Sequence, residues 1–285
     1  MNVNNRIETK PISIKYIIIT LVVIAVISII LKLYTMDFTL PVNSDPLAYA
    51  IAAISHTDGD FSQSSHRGIG WSIFVSLFYN FIDSNDFLIY SNVLRFLSLA
   101  VSVCTIFLVY FLGRKFFNEK YALVSSLLFA FIPDLNYNSS QGLSEPIYIL
   151  CVILAMNFIL SRNDKVIYLA FIMSGFAWMM RWPGILIFVI TSIIYFLNSG
   201  KSTKTILKYS FCFFVFFIIV SPMLINRYME YDDPLYFSQT PQLFTGDYSR
   251  LIAENTKNIE YSAFQYIEDN GILLFLEKFV GGGIT

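Results

Sequence analysis

The stretch LRFLSLAVSVCTIFLVYFLGRKFFNEKYALVSSLLFAFIP, from Leu94 to Pro133, decides how this chain folds. An apolar run long enough for a bilayer core, which needs about 20 residues, ends in Gly113-Arg114-Lys115. A second apolar run starts after Lys120. The stretch therefore reads as two membrane helices joined by a short basic turn, and such turns stay on the cytoplasmic side.

The rest of the chain has the same character. Of its 285 residues 56% are hydrophobic and 14% charged, with 28 Phe and 18 Tyr, which is too apolar for a water-soluble domain. A net charge of −1 without a dense basic cluster speaks against a nucleic-acid partner. Cys104, Cys151 and Cys212 each lie inside an apolar run and read as small buried hydrophobes. His56 and His66 are the only histidines, and no HExxH or Cys/His spacing surrounds them, so no zinc site is expected.

Working outward, apolar runs place spans near 13–34, 88–112, 121–135, 144–161, 166–180, 183–198 and 207–226. The first is preceded by Arg6, Lys10 and Lys15 but followed by Lys32 and Tyr34, where a signal peptide would carry small residues, so it reads as a retained anchor. Every second connection is basic: Arg114, Lys115 and Lys120, then Arg162 and Lys165, then Lys201, Lys204 and Lys208. The expected fold is an all-α polytopic membrane protein of about seven transmembrane helices with its N-terminus in the cytoplasm. Residues 1–226 would form the membrane domain. Residues 227–285 read as an external tail, the start of a truncated C-terminal region, because GILLFLEKFVGGGIT looks like the approach to another membrane helix.

The connection 35–87 carries Asp37, Asp45, Asp58, Asp60, Asp83 and Asp86 against a lone Arg67, and is expected outside. Within it GIGWSIFVSLFYNFI (68–82) is too short to cross and reads as an interfacial helix, lying in the outer interface or dipping partly in; 45–55 reads as a second. In NSDPLAYAIA, Ser44 suits a helix N-cap, Pro46 a first turn, and Asp45 the positive end of the helix dipole. LSEPIYIL repeats the pattern with Ser144, Glu145 and Pro146. Asp45, Glu145, Arg181 of WMMRWPG and Arg227 of MLINRYMEYDDP all fall at the same outer boundary. Such a gathering suits a site, although single charges at an interface also simply snorkel.

The order of these features resembles the GT-C superfamily of polytopic glycosyltransferases, in the branch of the protein O-mannosyltransferases and the lipid A aminoarabinose transferases. SDPLAY and HRGIGWSIFVSLF resemble that branch's acidic and aromatic loop elements. The opening stretch resembles its second and third spans. SSQGLSEPIYILCVILA resembles its external Ser/Thr-Glu element, SGFAWMMRWPGIL its Gly-to-Arg-Pro turn, and NRYMEYDDPLYF its exit into a large external region. The resemblance implies a GT-C type helical membrane domain that moves a sugar from a polyprenyl- or dolichyl-phosphate donor to a lipid or protein acceptor on the outer face, usually with inversion. The family's loop acid falls on Asp45. Pro46 follows it where the mannosyltransferases carry Glu, which removes one carboxylate. The setting implied is a prokaryotic plasma membrane, or the endoplasmic reticulum in a eukaryote.

Such a transfer needs a base for the acceptor hydroxyl, a cation for the departing phosphate, and a grip on the lipid. Asp45 is the candidate base. Arg181 is the first candidate for the phosphate, since a guanidinium forks onto phosphate oxygens. Arg95 is the second, for the donor phosphate or an external acid. His66 and Arg67 would contact the phosphate or sugar, or sit at the headgroups. Glu145 would orient Arg181, bind a sugar hydroxyl or share a cation with Asp45. Tyr49, one turn after Asp45, would line the sugar pocket or pack in the aromatic belt. No cofactor is expected; a divalent cation stays open, with few oxygen ligands near the two acids. A non-catalytic subunit that keeps the fold without the chemistry is the alternative. A transporter is disfavoured, because the span centres lack ionisable residues.

Overall fold

The computed structural model describes residues 12–62, 68–161, 163–199, 202–236 and 263–281. They form helices α1 (Ile14–Tyr34), α2 (Ser44–Thr57), α3 (Gly70–Tyr79), α4 (Phe87–Phe116), α5 (Glu119–Phe131), α6 (Pro133–Gln141), α7 (Glu145–Ile159), α8 (Ile167–Met180), α9 (Ile185–Asn198), α10 (Thr203–Tyr231) and α11 (Ala263–Gly281), with no strand among the described residues. α1, α4 and α10 are long and apolar enough to cross a membrane, and α6 with α7 would make a fourth span but for a 120° bend between them. That is fewer than the seven expected. Pro133 starts a new helix where the run 121–135 was expected to continue, because proline disfavours helical backbone in the residue before it. α7, α8 and α9 hold 14 or 15 residues each, about 21 Å of helix against a hydrocarbon core of about 30 Å.

The chain divides into two compact units, Met1–Ser64 with Gly68–Met223, and Ser65–Arg67 with Leu224–Thr285. In the first, α4 packs on α1 and α5 and also on α7; α7 packs on α8, and α8 on α9. α1 turns Leu21, Ile24, Ala25 and Ser28 inward and leaves Ile18, Val22 and Val26 exposed, the one-sided burial of a helix at the edge of a bundle.

Polar ties lock the two ends. At one, Glu119 accepts from the Ile12 amide at 2.7 Å and pairs with Arg114 at 3.2 Å, and Lys115 donates to the Leu160 carbonyl. At the other, the buried Lys32 donates to Ser28 and to Asn136 of α6. A buried ammonium without such acceptors would be costly.

At this second end α2 and α3 plug into the bundle. α3 packs against α2, α4 and α8 with Trp71 and Val75 wholly buried and Tyr79 nearly so, while Leu77 and Phe78 stay exposed. Ala50 and Ala53 of α2 are also wholly buried. The Trp71 indole N–H donates to the Gly142 carbonyl at 3.0 Å, and Ser98 donates to the Leu143 carbonyl at 3.1 Å, which pins the bend between α6 and α7. Gly142 takes φ +85, and a Cβ there would lie 2.9 Å from Leu94, so the turn requires glycine. Two local readings differ from the sequence expectation. Cys104 is exposed while Cys151 and Cys212 are buried, because Cys104 falls on the outward face of α4. Ser44 is the first helical residue of α2, at φ +51, with Asn43 in the cap position and no side-chain cap bond.

In the second unit Tyr231 and Tyr236 stack at 3.8 Å, Asp233 accepts from the Leu235 amide, and α11 kinks at Gly271.

Candidate functional site

Two chain reversals bring Glu145 and Arg181 to one end of the first unit. α8 stops at Met180, and Arg181 takes extended backbone before the turn Trp182–Gly184 starts α9. A Cβ on Gly184 would run into the Ala177 carbonyl, so only glycine lets the turn fold back this tightly. Glu145 opens α7, next to the Gly142 bend. The carboxylate thus sits at the positive end of one helix dipole and the guanidinium at the negative end of another, each favoured there.

The two form an ion pair, Arg181 Nη1 to Glu145 Oε1, with 38% and 26% of their side-chain surfaces exposed. Both remain reachable from outside the protein. Glu145 Oε2 is buried and has no hydrogen-bond partner among the described residues, so the carboxylate keeps an acceptor in reserve.

Helix α2 is fastened beside this pair. Tyr49 is buried, and its hydroxyl lies 3.0 Å from Ser144 Oγ, the residue before Glu145. Ser144, expected as an N-cap, has helical backbone and makes no side-chain cap bond; its hydroxyl serves the Tyr49 contact instead. One turn earlier on α2, Asp45 is exposed in the first turn. It directly follows the left-handed Ser44, a conformation that costs a non-glycine residue about 1–3 kcal/mol and collects at functional sites. The start of α3 closes the group, since a Cβ on Gly70 would lie 2.9 Å from the Met180 sulfur.

The other candidates lie elsewhere. Arg95 is buried and donates to the Leu40 carbonyl at 2.9 Å and to Asn92 at 3.0 Å, so it holds the connection after α1 against α4. Asp37 lies near it. His66 and Arg67 lie outside the described residues, and Arg227 belongs to the second unit. Sequence reasoning missed Ser144 and Trp71 as the groups that orient the start of α7. A buried tryptophan needs an acceptor for its N–H, but nothing in the sequence names Gly142 as that acceptor. Among the described residues no group of three or more His, Cys, Asp or Glu gathers as a metal site would require.

The family model for dolichyl-phosphate-mannose-protein mannosyltransferases matches residues 71–226, more than half of the chain. The chain belongs to that family. It is a membrane glycosyltransferase of the GT-C type. No curated protein matches the chain. The matched segment of this mannosyltransferase-family chain contains Arg95, Glu145 and Arg181, while Tyr49 and Asp45 precede it.

One titratable group beside the site sets a pH limit. His56, in the last turn of α2, is buried and stacks on Phe61 at 4.7 Å. Burial holds its imidazole below the ordinary value of 6.5, with the Ser72 backbone and Asp60 opposing in part. The folded state thus favours neutral His56, so its contribution is complete above pH 6.5 and is lost as the pH falls below it. The unfolding midpoint in detergent is expected to drop between pH 7 and pH 5, and His56→Leu to flatten that limb. An unchanged slope in the variant would assign the acid sensitivity to another group.

Proposed function

We propose that this chain transfers a sugar from a polyprenyl-phosphate donor to an acceptor hydroxyl at the extracytoplasmic face of a membrane, with inversion. The observation that carries the reading is the Glu145–Arg181 pair, reachable from outside and set beside the helix that bears Asp45. In this reading α5, α7, α8 and α9 also traverse the bilayer, giving about seven crossings. The basic connections face the cytoplasm and the α2–α3 end faces outward. Residues 1–226 form the catalytic domain, and residues 227–285 lie on the external side.

Arg181 offers the charge that meets the departing phosphate. The acceptor oxygen attacks the anomeric carbon opposite that phosphate and its proton passes to the Asp45 carboxylate. The bond from anomeric carbon to phosphate oxygen breaks with its electrons on the lipid phosphate. Glu145 Oε1 keeps the guanidinium aimed, and Oε2 accepts a hydroxyl of the sugar or acceptor. Tyr49 fixes α2, which bears the base, to the start of α7, and the cation is held in the tight turn between α8 and α9. Every step closes without a cofactor, because the guanidinium fills the place of a divalent cation.

The test is turnover of purified chain with a panel of radiolabelled polyprenyl-phosphate sugars, read as release of lipid phosphate with and without chelator. Release with at least one donor and no loss to chelator is the expected result. Normal donor binding without release from any donor would refute catalysis in favour of a non-catalytic subunit.

A further inference from the structure

At the end of the bundle away from Arg181, the start of α8, the end of α9 and the start of α10 enclose a cavity of about 520 Å³. Tyr195 and Cys212 are its buried floor. Tyr168, Leu207 and Phe211 line its sides and are largely exposed, Leu207 at 73%. Its polar rim is Asn198, Ser199, Thr205 and Lys208. The floor is rigid: the Tyr195 hydroxyl donates to the Thr205 carbonyl at 3.0 Å, and Tyr195 packs against Phe171 and Tyr209. The 14 residues of α8 put this cavity about 21 Å from the Glu145–Arg181 pair.

We infer that this groove holds one anionic phospholipid, an acyl chain along Tyr168, Leu207 and Phe211 and the headgroup phosphate at Lys208 and the Asn198–Ser199 turn. The lining is divided as a lipid is, apolar along its length and polar with a cation at the mouth. Charge favours an anionic headgroup over a zwitterionic one, since this end of the first unit carries Arg114, Lys115, Lys120, Lys165, Lys204 and Lys208 against Glu119 and Asp164. The groove lies at the level of headgroups if α8 and α9 end at the membrane surface, where exposed tyrosine and lysine belong. The binding claim is independent of the catalytic proposal.

Native mass spectrometry of the purified chain, delipidated and then titrated with phosphatidylglycerol, phosphatidylcholine, polyprenyl phosphate or inorganic phosphate, tests it. One phosphatidylglycerol per chain is expected, displaced by neither phosphatidylcholine nor inorganic phosphate. Its affinity is expected to fall about tenfold in Lys208→Glu. Asn198→Trp, at an exposed position that tolerates bulk, is expected to lower it as well by filling the mouth. Equal retention of phosphatidylcholine with no effect of Lys208→Glu would overturn the inference in favour of non-selective surface lipid. Competition by inorganic phosphate would make this a phosphate site, and preference for polyprenyl phosphate a second donor site; either result also overturns it.

Discussion

Arg181→Ala is expected to lower the turnover of lipid-phosphate release about 10²- to 10³-fold, the range for removing one preorganised group that meets developing negative charge. The variant also leaves Glu145 without its ion-pair partner, and Oε2 already lacks one among the described residues. An unpaired carboxylate in that setting costs about 1–3 kcal/mol, so lost activity could be mistaken for lost fold. The double variant Arg181→Ala with Glu145→Gln separates the two. It removes the orphaned charge and is expected to regain most of the unfolding midpoint, while turnover stays at the level of the single variant. Arg181→Lys, which keeps the charge but not the fork, is expected to fall between wild type and alanine. If the double variant regained turnover together with stability, Arg181 would be no more than a counterion for Glu145.

How much of this arrangement was legible in the sequence depends on the range of the forces involved. The Gly113-Arg114-Lys115 turn could be read directly, because a break in hydrophobicity with clustered charge is a local signal. The same holds for the helix beginning near Asp45 and for Glu145 at the head of α7. Burial of α3 could not be read, because Trp71, Val75 and Tyr79 at four-residue spacing give the same pattern whether the apolar face meets lipid or protein. The role of Ser144 was misread for a related reason. Its cap function depends on its own backbone dihedrals, and its contact with Tyr49 spans 95 residues. The contact of Arg95 with the connection after α1 could not be read either, since only the fold brings the Leu40 carbonyl to it. The number of long apolar helices depends on chain direction as well as on composition. Hydropathy adds apolar residues without regard to direction, whereas Pro133 and Gly142 turn the chain back on itself within one apolar region.

Asp45→Asn is expected to lower turnover about 10²- to 10⁴-fold, the usual contribution of a general base, with the donor KM little changed. This substitution is sharp because the structural reading of Asp45 predicts the opposite. If Asp45 served only the start of α2, asparagine would serve about as well, since it is as good a residue at helix starts and tolerates the same backbone. The lost interaction with the helix dipole would amount to about 0.3–1 kcal/mol. The unfolding midpoint of Asp45→Asn, measured beside turnover, separates lost chemistry from lost fold. Turnover within a few-fold of wild type would return Asp45 to the helix-dipole role. The base would then have to be sought in Glu145, whose second oxygen is the remaining acceptor at the pair.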